Sequence, residues 1–420
     1  MTNIKPFSAV GIIAEYNPFH NGHAYHIKKA KELAHAEYCI VVMSGDFVQR
    51  GAPAVYDKYT RTAMALSCGA DLVIEMPSLF ATSSAEDFAA CGVALLDKLG
   101  IADTLCFGSE CGDVMKLNRI ASILEEEPPE YVQALRQELK KGASFPKARK
   151  EALVSCNILD QEEASILSSP NNILGIEYCK AIKKQGSNLS PLTITREGSS
   201  YHDPVLVNHQ FSSATGIRTS LKEHQNKGTE KDSVLQHIPD SVKHLVENGY
   251  PIFSDDFSLL LNTALLTLSK AGIPFESYAD ISQELASRIA RQLPDFLPFD
   301  EKIAGLKTRQ YTYTRISRGM LHLILGMTSN QVTLAKEAGY APYARVLGFK
   351  RASADILSQI KKRGSIPLIT KTAHAESALT NTGASMLLQD FYCSHIYQSV
   401  LQNKYGISTK NEYTQSVVIL

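Results

Sequence analysis

The stretch that most constrains this 420-residue chain is the apolar run Val10-Gly11-Ile12-Ile13 with its continuation, Ala14-Glu15-Tyr16-Asn17-Pro18-Phe19-His20-Asn21-Gly22-His23. A short β-branched run that halts at Asn-Pro and resumes in a helical pattern predicts strand, tight loop and helix, with the loop at the strand's carboxyl end. In a parallel sheet, that end is where ligands bind. His20 and His23 lie on either side of Gly22, so two imidazoles can face one point while the glycine lets a ligand approach the backbone. The same point sits at a helix N-terminus, which favours anions. The plainer role for these residues is capping of the helix, with His26 one turn further on.

The pattern continues as alternating strands and helices. Ala24 to Ala36 is amphipathic, with Tyr25, Ile27 and Ala30 on one face and Lys28, Lys29, Lys31 and Glu32 opposite. Tyr38 to Ser44 reads as a buried strand ending in the glycine-punctuated loop Gly45-Asp46-Phe47-Val48-Gln49-Arg50-Gly51-Ala52-Pro53. A helix over Lys58 to Cys68 capped by Asp57, a strand over Asp71 to Met76, a helix over Ser84 to Leu99 and a strand over Thr104 to Glu110 follow. A helix restarts at Ser169-Pro170-Asn171, and Leu192 to Arg196 is a further strand. This spacing predicts an α/β fold with a doubly wound parallel sheet. Beyond a polar stretch at residues 222 to 249, helices with apolar faces are expected over Phe257–Leu268, Ile281–Leu293, Arg318–Leu325, Ala352–Ile360 and Leu387–Leu401. The expected organisation is thus a catalytic domain over residues 1–225 and a mainly α-helical C-terminal domain over 226–420.

Composition excludes some classes and favours others. With 44% hydrophobic and 20% charged residues, the chain has the make-up of a soluble globular protein. No apolar run approaches the roughly 18 residues of a membrane span, and Met1 to Pro6 lead straight into the first strand, so neither an anchor nor a signal peptide is expected. The eight cysteines occur singly without a Cys-x-x-Cys pair, which fits reduced thiols in the cytoplasm and no zinc site. A net charge of zero conceals an asymmetry: Glu301 to Leu420 hold 15 Lys and Arg against 6 Asp and Glu, or +9, and residues 1 to 300 hold 28 against 37, or −9. A basic segment with interleaved aromatics (Tyr311, Tyr313, Tyr340, Tyr343, Phe349) suits a polyanion with unpaired bases. The alternative is a solvated helical surface whose aromatics are core.

His-x-Gly-His behind a first strand resembles the signature of the nucleotidyltransferase superfamily, which transfers adenylyl groups from ATP. Imidazole donors fixed in a loop can stabilise charge on the phosphoryl oxygens and on departing pyrophosphate without a covalent intermediate. A second stretch, Phe211-Ser212-Ser213-Ala214-Thr215-Gly216-Ile217-Arg218, resembles that superfamily's hydroxyl-rich phosphate turn, with Arg218 placed to add a forked contact.

Together with Ser44 to Gly51, Phe107-Gly108-Ser109-Glu110, Ser169 to Leu174, Ser200-Tyr201-His202-Asp203 and Ala344 to Phe349, these motifs resemble the bacterial tRNA(Met) cytidine acetate ligases. The resemblance implies a Rossmann-like nucleotidyltransferase domain and a two-step reaction: ATP and acetate give acetyl-adenylate, whose acetyl group passes to the wobble cytidine of elongator tRNA(Met). Carried onto this chain, the ATP contacts fall on Ile13, Ala14, Glu15, Tyr16, Asn17, Pro18, Phe19, His20, Asn21, Gly22, His23, Ala24, Tyr25 and His26, and on Gly108, Asn171 and Arg196. His20 and His23 take the catalytic role. Magnesium (Mg2+) is expected with ATP, although no carboxylate cluster marks a metal site. The competing readings are a small-molecule adenylyltransferase, which has no need of a basic helical segment, a catalytically silent RNA-binding protein, and a tRNA synthetase, whose lysine-rich second signature is missing.

Overall fold

The computed structural model describes residues 7–196, 213–227 and 232–420. Ser200-Tyr201-His202-Asp203 and Phe211-Ser212 lie outside the described residues. The opening run forms the strand Ala9–Ala14 (β1). Its side chains alternate, Val10 and Ile12 joining one buried cluster and Ile13 another, so the strand is covered on both faces as a parallel sheet with helices on either side requires. Asn21–Leu33 (α1) returns the chain to Tyr38–Ser44 (β2), parallel to β1 with Ile12 opposite Val41. A small antiparallel hairpin, Phe47–Val48 (β3) and Ala52–Pro53 (β4), leads into Lys58–Ser67 (α2), where Asp57 accepts the Tyr59 and Thr60 N–H groups as N-cap.

Leu72–Met76 (β5), Ser78–Ala81 (α3), Ala85–Leu99 (α4) and Ala102–Ser109 (β6) come next. The Pro170–Lys184 helix then precedes Ser190–Thr195 (β7). In α4, Gly92 lies so close to β1 that a Cβ would fall 2.5 Å from Ile13 Cδ1. A larger residue there would force the Ile13 side chain or the helix to shift. No helix among the described residues is long and apolar enough to cross a membrane. All eight cysteines are free, five of them buried and three half-buried.

The expected helices of the C-terminal part are present, among them Ser258–Lys270, Gln283–Arg291, Tyr313–Leu325, Asp355–Arg363 and Asn381–Tyr405. The part is mainly helical but not only so. Ala344–Phe349 (β8), Leu368–Ile369 (β9) and Val418–Ile419 (β10) join the main sheet, whose order is β10-β8-β5-β2-β1-β6-β7 with β9 beside β8. The strand β8 runs antiparallel to β5, whereas the five strands from β5 to β7 are all parallel. The expected division near residues 225 to 250 is therefore not a division of the sheet. The sequence obscured β8 because Arg345 and Gly348 interrupt its apolar pattern. Two of the aromatics expected on a base-stacking surface, Tyr311 and Tyr343, are buried in the core, and Arg318 is buried against Asp280.

Arg345 is tolerated inside the sheet because four buried charges meet there. Lys58 Nζ lies 2.7 Å from Glu75 Oε1, 2.9 Å from Glu412 Oε2 and 2.8 Å from Ser394 Oγ. Arg345 pairs with Glu412 and places Nη1 2.9 Å from Glu75 Oε2, a close contact that is not aligned as a hydrogen bond. Two residues of this cluster come from the first 80 of the chain and two from its last 80, so it ties the chain's ends together beneath the sheet. Removing one partner leaves an uncompensated buried charge, which costs on the order of 3–5 kcal/mol. Glu412→Gln should therefore shift the urea midpoint sharply at pH 7. Burial alone would raise the Glu412 carboxyl, but Lys58 and Arg345 outweigh it and hold it below its ordinary 4.5. Its contribution is thus complete above pH 4.5 and lost as the pH falls further, so wild type should lose stability below pH 4.5 more steeply than the variant. Parallel curves would place the acid sensitivity elsewhere.

Candidate active site

The loop after β1 is shaped by its own side chains. Asn17 Oδ1 accepts the Val55 N–H at 2.8 Å, and the Arg61 guanidinium, fully buried, donates to the carbonyls of Glu15 (2.7 Å), Ser44 (3.0 Å), Tyr56 (2.9 Å) and Gly45. One arginine thus holds the carboxyl ends of β1 and β2 together. His20 is the N-cap of α1: the Gly22 N–H donates to His20 Nδ1 at 3.1 Å, and the His20 N–H donates to His23 Nδ1 at 3.3 Å. The two rings stack at 3.7 Å between centroids.

Because both Nδ1 atoms accept from backbone N–H groups, each neutral ring carries its proton on Nε2. Burial, then the charges of Arg196, Arg218 and His237, pulls His20 down to about 3. Burial and then His20 and Arg196 lower His23, and burial and Arg196 bring His26 to about 4. A second proton would also break both caps. At neutral pH the pair is therefore a set of fixed, uncharged N–H donors.

These residues line a cavity of about 320 Å³ at the carboxyl ends of β1, β2, β6 and β7. Of the residues that sequence reasoning named, Ile13, Ala14, Glu15, Tyr16, Asn17, His20, His23, His26, Gly108, Asn171 and Arg196 line it, and so does Arg218. Pro18, Phe19, Asn21, Gly22, Ala24 and Tyr25 do not: Phe19 is fully buried beneath the loop, and Asn21 is tied to the carbonyls of Gln236 and His237. Asn171 donates to Glu110 Oε1 at 2.7 Å, and the same carboxylate accepts the Asn171 and Asn172 N–H groups at the start of their helix. Arg218 donates to the Asn17 carbonyl at 2.6 Å and to Thr215 Oγ1 at 3.0 Å, so the hydroxyl-rich turn and the histidine loop share one wall.

Sequence reasoning assigned no role to several lining residues. Gln49, Arg50 and Ala52 belong to the hairpin loop, whose glycines at the end of β2 were a visible signal. Lys222 lies one turn beyond Arg218 in the Ala214–Lys227 helix, Phe253, Ser254 and Asp300 reach the cavity from the C-terminal part, and no local pattern marks them.

The chain is similar to known proteins along nearly its whole length. A family model described as HIGH Nucleotidyl Transferase matches residues 7–412. A tRNA(Met) cytidine acetate ligase of Thermoanaerobacter sp. (strain X514) is 41% identical over 399 residues, covering 94% of this chain and 96% of the relative. One of Clostridium novyi is 41% identical over 410 residues, covering 98% and 99%. This chain belongs to the tRNA(Met) cytidine acetate ligase family. The apo crystal structure of Thermotoga maritima TmcAL superposes with a TM-score of 0.91 at 32% identity over 98% of this chain and 99% of that one. The same protein bound with alpha-thio ATP gives 0.88 over the same coverage.

Within this family member, the tautomers assigned above have a direct readout. In ¹⁵N spectra of histidine-labelled free protein, His20 and His23 should stay neutral with Nε2 protonated from pH 8 down to about pH 5, well below an ordinary imidazole midpoint near 6.5. Titration of either ring near 6.5 would show that the caps do not fix it.

Proposed function

We propose that the protein activates acetate with ATP and transfers the acetyl group to the wobble cytidine of elongator tRNA(Met). The observation that carries this reading is the pair of stacked, backbone-capped neutral imidazoles facing one cavity with Arg196 and Arg218, in a chain of this family. In the first step an acetate oxygen attacks the α-phosphorus and the bond to pyrophosphate breaks. His20 and His23 donate from Nε2 to the oxygens on which charge builds, while Arg196 and Arg218 hold the phosphates. In the second step the exocyclic amine attacks the acyl carbon, AMP leaves, and the amine loses one proton. Positioning supplies much of the barrier reduction, on the order of 7–11 kcal/mol in favourable cases, so no general base is assigned.

Among the described residues, no group of three or more His, Cys, Asp or Glu side chains is arranged to hold a metal ion. Residues 1–225 carry the nucleotide chemistry in this reading, and 226–420 carry the tRNA surface and complete the sheet. The free thiols fit work in the cytoplasm.

The first step is reversible, so the protein should exchange labelled pyrophosphate into ATP when acetate is present and tRNA is absent. Replacing His20 or His23 by Ala should lower that exchange by about 10² or more with a smaller change in ATP binding, because the lost donor acts on transition-state charge. Arg196→Ala should weaken ATP binding itself. Loss of the His20 cap costs about 1 kcal/mol of stability, so each variant is first checked by thermal melting. Acetate-dependent exchange in a folded His20→Ala, His23→Ala double variant would sink the assignment.

The tRNA surface has a separate test. Lys361, Lys362 and Arg363 are exposed in the last turn of the Asp355–Arg363 helix, where cations also complement the helix dipole. Their joint replacement by Ala should weaken tRNA binding and reduce its salt slope by roughly one unit per lost phosphate contact. An unchanged slope would move the surface elsewhere.

A further inference from the structure

The cavity has an inner end and a mouth. At the inner end the rings of His20 and His23 are fixed by the backbone, and His20 is 5% exposed. At the mouth, Lys222 and Asp300 both line the cavity, and the side chain of each is 39% exposed. Under the proposed function, acetyl-adenylate forms at the histidines, whereas the base that receives the acetyl group arrives from outside on a large polyanion. An unpaired base of an anticodon loop can be turned out of its stack, and it then presents its base-pairing edge to the mouth it enters.

What the mouth offers such an edge is a donor beside an acceptor. Lys222 Nζ lies 3.3 Å from Asp300 Oδ2, close enough for the two side chains to meet neighbouring positions of one base. Both are fixed from behind. Tyr313 donates to Asp300 Oδ1 at 2.8 Å, and the Asp300 N–H, in the first turn of the Phe299–Leu306 helix, donates to Asp255 Oδ1 at 3.0 Å. Lys222 also donates to Asp255 Oδ2 at 2.9 Å. An ammonium has three protons and a carboxylate about four acceptor positions, so these contacts use only part of the capacity of each. Burial alone would lower Lys222, but Asp255 and Asp300 outweigh it and hold its pKa above the ordinary 10.5, so it is a donor at ordinary pH.

Cytosine and uracil differ at this edge in the sense that such a pair reads. Cytosine carries an exocyclic amine that donates, next to a ring nitrogen that accepts, and a carboxylate that accepts from this amine is a known geometry of base readout. Uracil carries a carbonyl that accepts, next to a ring N–H that donates. It would therefore set an acceptor against Asp300 and a donor against Lys222. Phe253 lines the cavity as well, two residues before Asp255, and gives the ring of a base an aromatic surface.

We propose that Asp300 and Lys222 read the edge of the incoming cytidine, Asp300 accepting from the exocyclic amine and Lys222 donating to the neighbouring ring nitrogen, with Tyr313 as the positioning residue that sets Asp300. This rests on the function proposed above.

The test compares binding and reaction in the full-length protein. In the presence of ATP, wild type should bind elongator tRNA(Met) about fivefold or more tighter than the same tRNA with uridine at the wobble position. Asp300→Asn should bring that ratio towards one, because an amide both donates and accepts. It should also lower acetyl transfer to the cytidine about tenfold more than it lowers acetate-dependent pyrophosphate exchange. Lys222→Met should reduce the same ratio, whereas an ATP Kd that rises in step with it would put Lys222 on the nucleotide and overturn the pair. Tyr313→Phe should reduce the ratio by about twofold; a merely structural role would weaken binding of both tRNAs equally. Thermal melting checks each variant, and should Asp300→Asn fail to fold, the ratio in Lys222→Met decides. A wild type that binds both tRNAs equally, or an Asp300→Asn variant with full discrimination, overturns the proposal and leaves the parent function standing. A wild type that neither exchanges pyrophosphate with acetate nor acetylates this tRNA overturns both.

Discussion

Four charges buried under the sheet are the interaction on which the rest of the structure depends. Lys58 and Glu75 belong to the first βα units, Arg345 and Glu412 to the last stretches of chain, and none of the four reaches water. Such a cluster adds little net stability compared with a well-packed apolar core, but each member left alone would be strongly unfavourable. In the register observed, β8 and the segment around Glu412 bring each of the four charges to an opposite partner. Because Lys58 opens α2, and β5 lies beside β2, that register is carried directly to the strand ends that form the cavity.

The histidine loop is governed by the same physics in a smaller space. Burial and neighbouring guanidinium groups disfavour protonation of His20 and His23, and their Nδ1 atoms are occupied by backbone donors. The protein thus presents N–H groups without adding positive charge of its own at the point where the nucleotide's phosphates would be attacked. Charge is supplied instead by the guanidinium groups of Arg196 and Arg218, which line the same cavity. Under the proposed function, separating fixed dipoles from fixed charges would let one set act on the transition state and the other on the bound ground state.

The two parts of the chain are also joined at the cavity itself. Ser317 reaches the hairpin tip, Asp300 and Lys222 face each other at the rim, and Tyr313 donates to Asp300 Oδ1 at 2.8 Å. One helix, Tyr313–Leu325, thus makes the first and the last of these contacts.

What the sequence determined by itself was local. The β-branched run before Asn17-Pro18, the spacing of His20 and His23 about Gly22, and the strand–helix alternation up to residue 196 each follow from neighbours within a few positions, so period and turn chemistry were enough to read them. Gly108, Asn171 and Arg196 were named through the family resemblance, with which the strand ends at Gly108 and Arg196 agreed, and all three line the cavity. Tertiary structure alone decided that Ala344–Phe349 is a strand, since a buried arginine breaks the apolar pattern and is tolerated only because Glu75 and Glu412 meet it from remote parts of the chain. It alone placed Tyr311 and Tyr343 in the core, and it alone brought Lys222, Ser254 and Asp300 to a cavity that begins at residue 13 and Ser317 to the hairpin beside it. Those contacts span a hundred residues or more, and no local period records which distant segment satisfies a buried charge or a carbonyl.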